Sequence, residues 1–215
     1  MPSSRGLQPV YDYVVIGSGS GGAAVTRRLI EGSDAEILLI EAGKLGLDED
    51  AVLDPTRWVS LTRGRFDWGY DYAPSPLTNG RIIGIPRGKA LGGSSAINAM
   101  MWYRGHPSDY DAWEAAGAEG WSFKDCLPYF KRCEDWEEGE TEFRGAGGPL
   151  RIERSADPHP LSLALIEAAA ECGIPVIDDP NGPTNEGATL ANFNIANGER
   201  WSSKRVHARY QAQWP

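Results

Sequence analysis

Apolar residues in this chain form two uninterrupted runs near the N-terminus and helically spaced stripes from about residue 108 onward. The runs are Tyr13-Val14-Val15-Ile16, between Asp12 and Gly17, and Ile37-Leu38-Leu39-Ile40, which ends at Glu41. Runs of this length predict buried strands. Between them Val25, Leu29 and Ile30 fall on one side of a helix predicted over 23–31. A first β-α-β unit is therefore predicted from about Tyr11 to Ala42. Further on, helices are predicted over 108–117, stopped by Gly117, and over 122–136. In the second of these Ser122 and Asp125 resemble a capping box, and Pro128 should kink or restart the helix. Residues 145–149 form a turn-rich boundary, after which Leu150-Arg151-Ile152 alternates like a strand. A helix over 160–172 places Leu161, Leu165, Ala168, Ala169 and Cys172 on one face, with Gly173 as its stop. Residues 43–79 lack periodicity but carry Trp58, Phe66, Trp68, Tyr70 and Tyr72. These rings either cover a ligand or anchor an irregular segment. No internal repeat is visible.

Two glycine-rich loops carry the chemistry. The first follows the first strand, with Gly17, Gly19 and Gly22 in G-x-G-x-x-G spacing. Gly17 permits the tight turn, Gly19 lets a pyrophosphate approach the backbone, and Gly22 lets the helix pack on the strand. The pyrophosphate would rest on the helix N-terminus, where free N–H groups and the helix dipole favour negative charge. Glu41 lies 19 positions after Gly22, where a dinucleotide fold places an acid about 20 residues on to accept ribose hydroxyls. An acid there disfavours NADP. This unit alone does not separate FAD from NAD.

The second loop runs Arg87-Gly88-Lys89-Ala90-Leu91-Gly92-Gly93-Ser94-Ser95-Ala96-Ile97-Asn98. Arg87 and Lys89 bring positive charge toward phosphates, glycines allow close backbone approach, and Ser94, Ser95 and Asn98 offer hydrogen-bonding groups. From Gly88 through Trp102, Gly105 and Asp111 the stretch spans 24 ungapped positions. It resembles the first signature of the GMC (glucose-methanol-choline) oxidoreductases. Trp121 to Phe130, Gly148-Pro149-Leu150, Asp179-Pro180-Asn181-Gly182 and Gly198 to Ser203 are smaller echoes of the same family.

The resemblance implies an α/β fold class: a Rossmann-like FAD-binding domain over 1–150 and the start of an α+β substrate-binding domain over 151–198. Residues 199–215 would be a truncated return toward the FAD domain. It implies FAD and oxidation of a small-molecule alcohol to a carbonyl, with hydride passing to flavin N5. Some members of the family attach flavin through a histidine just before the asparagine; Ile97 stands there, so the expected cofactor is non-covalent FAD. The expected cofactor-binding set is Gly17, Ser18, Gly19, Ser20, Gly22, Glu41 and Ala42, with Arg87, Leu91, Gly92, Gly93, Ser94, Asn98, Ala99, Met100 and Met101. No catalytic residue is assigned. The family's catalytic histidine lies in a C-terminal motif that this chain does not match, and His207, beside Arg205 and Arg209, is outside any such motif. After Tyr210 the sequence departs from the family pattern and reads as a truncation. A half-sheet with an exposed edge would follow.

Composition narrows the alternatives. A net charge of −9 argues against nucleic acid. The acidic run 134–142 reads as a solvated face or loop. Cys126, Cys133 and Cys172 lack metal or redox spacing and read as buried thiols, and His106, His159 and His207 are scattered, so no metal is expected. No stretch reaches the roughly 18 apolar residues of a membrane span, and residues 1–9 have no signal-peptide core, so a soluble cytoplasmic protein is expected. A non-catalytic FAD- or nucleotide-binding module and an NAD-dependent dehydrogenase remain as alternatives, the latter disfavoured by the 87–98 loop.

Overall fold

The computed structural model describes residues 8–43 and 50–203. His207 and its neighbours lie outside them. By compactness the chain forms two units, one ending at Met100 and joined by the segment from Gly198, the other spanning Met101–Asn197. Residue 150 begins a strand paired with residues before and after it.

In the first unit β1 (Tyr13–Ile16) and β2 (Ile37–Ile40) pair in parallel, Tyr13 opposite Ile37 and Ile16 opposite Ile40. Helix α1 (Ser20–Gly32) connects them. It starts before Ala23 because glycine and serine join a first turn without adding to the apolar rhythm. The strands form where the apolar runs stand, but they are not buried: Ile16 is 82% exposed and Val14 is also exposed. Among the described residues neither strand has another partner. Parallel sheets are ordinarily covered on both faces, and here the described residues leave Val14 and Ile16 uncovered.

The first unit's core lies elsewhere. Short helices α2 (Asp50–Leu53) and α3 (Trp58–Leu61) bring Val52 and Leu61 against Phe66, Ala90, Ala96 and Ile97. Phe66 thus anchors the aromatic segment. A small antiparallel hairpin of β3 (Tyr70–Asp71) and β4 (Gly84–Ile85) follows, and Trp58, Trp68, Tyr70 and Tyr72 stay exposed.

In the second unit α4 (Pro107–Ala115) and α5 (Phe123–Cys133) are capped by His106 and Ser122. The Ser122 hydroxyl accepts from the Asp125 N–H, as expected for a cap. Helix α5 neither stops nor restarts at Pro128; only the bond its N–H would make to Lys124 is lost. The helix does end before residue 136. Glu134–Trp136 is strand β5, parallel to β6 (Leu150–Arg154). After α6 (Pro160–Glu171), β7 (Asn192–Phe193) pairs with the far end of β6 and β8 (Ile195–Ala196) follows. The apolar face of α6 forms but is not covered: Leu161 and Leu165 are 62% and 63% exposed. Cys172, the last cap of α6, is likewise exposed, Cys133 is half-buried and only Cys126 is buried.

The acidic run is not uniformly solvated. Glu134 is fully buried at the centre of an ionic network. Its Oε1 accepts from Arg104 Nη2 at 2.7 Å, Arg144 Nε at 3.0 Å and the Gly145 N–H at 2.8 Å, and Oε2 accepts from Trp102 Nε1 at 3.0 Å. Arg144 continues to both oxygens of Asp179 at 2.9 and 3.0 Å and stacks 3.9 Å above the Trp136 ring. Glu137, Glu138, Glu140 and Glu142 are exposed, as charge alone predicts. Two buried guanidinium groups that share its Oε1 explain why this one carboxylate is drawn inside.

Glu134→Ala leaves Arg104 and Arg144 buried without their shared counter-charge. Urea denaturation should show a loss of about 3–5 kcal/mol, whereas exposed Glu140→Ala should change stability by less than about 1 kcal/mol.

Candidate cofactor site

Gly17 ends β1 at φ +92°, and its N–H donates to the Ile40 carbonyl at 2.7 Å. A Cβ on Gly22 would lie 1.9 Å from the Gly17 carbonyl oxygen, so helix and turn meet only because residue 22 has no side chain. Gly19 is the N-cap of α1 and supplies no capping group. The first-turn N–H groups therefore point outward uncapped, the arrangement that favours an anion.

Ser18 is completely buried. Its hydroxyl donates to Glu41 Oε2 at 2.7 Å and accepts from the Gly92 N–H at 3.1 Å, while the Ser18 N–H donates to the same Glu41 oxygen at 2.9 Å. The other oxygen, Oε1, accepts from the Gly43 N–H at 2.7 Å. Partial burial pushes the Glu41 carboxyl up, but hydrogen bonds from Ser18, Gly43 and Ala42 outweigh it and hold the group below its ordinary value. Glu41 is thus a carboxylate held in a fixed orientation at the cavity wall.

The second loop closes against the first. Gly92 and Gly93 take φ +97° and +53°. A Cβ on Gly93 would come within 2.7 Å of Gly19 Cα, and one on Gly88 within 2.1 Å of the Gly93 carbonyl oxygen. The Gly88 N–H donates to Ser94 Oγ at 3.1 Å. Where the loops converge, a cavity of about 720 Å³ opens, lined by Gly19, Glu41, Trp68, Arg87, Gly93 and Ser94 among others. This is the size of a small-molecule or cofactor site. Tyr70 also lines it, its ring stacked on Trp68 with centroids 5.9 Å apart and planes 7° apart. Lys89 Nζ sits 4.3 Å from the Trp68 centroid, a positive charge beside the same wall.

The structure gathers the expected set into the first unit, all but Met101, which belongs to the second. Gly19, Glu41, Arg87, Gly93 and Ser94 line the cavity. Ser18 and Gly92 lie buried beneath it and tie the loops together. Gly17 and Gly22 shape the turn, Ser20 opens α1, and Ala42 and Leu91 flank the lining residues. Asn98 is exposed, Ala99 half-buried, and Met100 buried at φ +60° with its N–H on Asn98 Oδ1 at 3.0 Å. Trp68 and Tyr70 stand on the cavity wall, whereas Phe66 packs into the core. Arg200, buried beside Asn98, gave no signal beyond its place in the Gly198 to Ser203 echo.

The GMC oxidoreductase family model matches residues 11–211. The chain belongs to the GMC oxidoreductases. It is 41% identical over 198 residues to an oxygen-dependent choline dehydrogenase of Rhizobium etli strain CIAT 652, a match covering 92% of this chain and 36% of that protein. Among solved structures, it is similar to pyridoxine 4-oxidase from Mesorbium loti, with TM-score 0.86 and 38% identity over 91% of this chain and 38% of that one. It is also similar to an FAD-dependent oxidoreductase from Chaetomium thermophilum, with TM-score 0.85 and 29% identity over 96% of this chain and 37% of that one. The chain thus spans little more than a third of the length of these GMC relatives. Among the described residues no helix is long and apolar enough to cross a membrane.

Two stability measurements check the loop geometry. Gly93→Ala should cost at least about 1–2 kcal/mol from its left-handed backbone alone, with the contact at Gly19 adding to it, whereas Gly21→Ala, whose Cβ meets nothing within 4 Å, should be neutral or stabilising. Because the folded Glu41 carboxyl lies below its reference value of 4.5, its stabilising contribution is present above about that pH and is lost as pH falls through the folded value. Glu41→Gln should therefore flatten the acid limb of a stability–pH curve.

Proposed function

We propose that these residues form the cofactor-binding part of an FAD-dependent oxidoreductase that acts on CH–OH groups, taking a small-molecule alcohol to an aldehyde or ketone. The observation that carries this reading is the convergence of the two glycine loops, through Ser18, on one cavity lined by Glu41 and the Trp68–Tyr70 wall.

The residues present fit a dinucleotide. A Cβ at Gly88 or Gly93 would collide with backbone and force the two loops apart, the first turn of α1 offers uncapped N–H donors to a pyrophosphate, and Glu41 places a carboxylate on the cavity wall for ribose hydroxyls. Arg87 and Lys89 bring positive charge to the same side. Together Gly19, Glu41 and the loop 87–94 make up the proposed FAD-contacting set, with Asn98, Ala99 and Met100 as candidates for the flavin end. When bound, FAD supplies the acceptor for the hydride that leaves the substrate carbon. Ile97 is buried in the core and has no nucleophilic atom, which supports a non-covalent cofactor. The group that takes the substrate's hydroxyl proton is not assigned within these residues. We assign residues 1–150 to FAD binding, in a Rossmann-like arrangement, and 151–198 to the start of a substrate-binding domain.

The test is FAD titration of the purified chain with an absorption spectrum before and after denaturation. Binding should quench FAD fluorescence and give a flavin spectrum, and denaturation should release all flavin into the supernatant. A folded chain that leaves FAD fluorescence unchanged overturns the cofactor reading; flavin that stays with precipitated protein overturns the non-covalent mode.

A further inference from the structure

Arg200 is 1% exposed, yet among the described residues its hydrogen bonds run to neutral oxygens. Nε donates to the Val52 carbonyl at 2.9 Å. Nη1 donates to the Asn98 carbonyl at 2.6 Å, to Asn98 Oδ1 at 2.9 Å and to the Ser95 carbonyl at 3.3 Å. Nη2 is buried and, among the described residues, makes no hydrogen bond. A buried guanidinium without a carboxylate is costly to keep, which points to a task beyond packing.

That task is legible in Asn98. Its Oδ1 receives two donors, Arg200 Nη1 and the Met100 N–H at 3.0 Å. Rotating the amide by half a turn would set its NH2 against two other donors, so the orientation is determined by the partners. No acceptor among the described residues takes the Nδ2 protons, although the residue is exposed. The same clamp steadies Met100, a non-glycine residue held at φ +60°. We propose that Arg200 is a positioning residue for the cofactor loop: it locks the Asn98 amide so that Nδ2 is presented as a hydrogen-bond donor to an acceptor atom of the bound ring system. Burial lowers Arg200 to about 10, so the guanidinium stays charged at neutral pH and its Nη1 bond remains charge-assisted. This inference rests on the cofactor reading above, but it concerns which residue orients Asn98 and can fail separately.

The experiment uses the whole chain as wild type, Arg200→Gln, Arg200→Lys, Asn98→Ala and the Arg200→Gln/Asn98→Ala double variant. FAD affinity is read from fluorescence quenching, and the Asn98 side-chain NH2 signals are read by NMR without ligand. Arg200→Gln and Asn98→Ala should each weaken FAD binding about tenfold or more. The double variant should bind no more weakly than Asn98→Ala alone, because Arg200 acts through Asn98. Arg200→Lys keeps the charge without the fork and should bind FAD as weakly as Arg200→Gln. Without ligand, the Asn98 NH2 pair should be restricted in the wild type and mobile in both Arg200 variants. Additive losses in the double variant, wild-type affinity in Arg200→Gln, or an equally restricted Asn98 amide in Arg200→Lys overturns the proposal. If Arg200→Gln does not fold, the Arg200→Lys amide signals decide alone. Absence of FAD binding by the wild type overturns the cofactor reading, and the ligand-free amide signals still decide the Asn98 clamp.

Discussion

One buried hydroxyl holds the cofactor region together. Ser18 Oγ gives its proton to Glu41 and takes one from the Gly92 backbone. The end of β1, the end of β2 and the second glycine loop therefore meet at a single atom. Neither loop could serve this joint with bulkier backbones nearby, because the approach of Gly93 to Gly19 leaves no space for a methyl group. The carboxylate that faces the cavity is oriented by the same serine. Loop shape, acid orientation and cavity floor are consequences of one satisfied polar contact, as expected where a buried polar group must find all its partners.

The second unit is organised by charge in the same way. Glu134 gathers Trp102, Arg104, Arg144 and Gly145, and Asp179 extends the network to Asn181 and Asn192. Asn181 closes the circuit, accepting from the Arg104 N–H and donating to the Trp102 carbonyl. Buried ion pairs of this kind contribute little net stability over an apolar core but are costly to break singly. Their effect here is to give irregular segments defined positions. Several residues that carry the family resemblance, Trp102, Asp179 and Asn181, have this structural work.

Much of the first unit was legible along the chain because short-range chemistry decides it. The apolar runs mark β1 and β2 to the residue, and the glycine spacing marks the turn between them. Helical spacing likewise placed α4 and α6 within a residue or two. What escaped was every feature set by a distant partner. The burial of Glu134 depends on Arg104 and Arg144, which its acidic neighbours give no hint of. The end of α5 follows from strand pairing with β6, not from any breaker in the sequence. The exposed faces of β1 and α6 show the converse, since periodicity specifies which face is apolar and not what covers it. Arg200 is the clearest case at the site, being more than a hundred positions from the Asn98 it holds.

The close fit of Gly19 and Gly93 also constrains how such chains can be recombined. Because the two glycines touch across 74 positions, each loop is a template for the other's backbone. A chimera that takes residues 17–22 from one relative and 88–98 from another inherits two surfaces that were never matched. Crossovers placed anywhere between residues 23 and 87, the stretch separating the loops, are therefore the hazardous ones, and those placed beyond residue 100 keep the matched pair intact. The two loops behave as one heritable unit although the sequence writes them far apart.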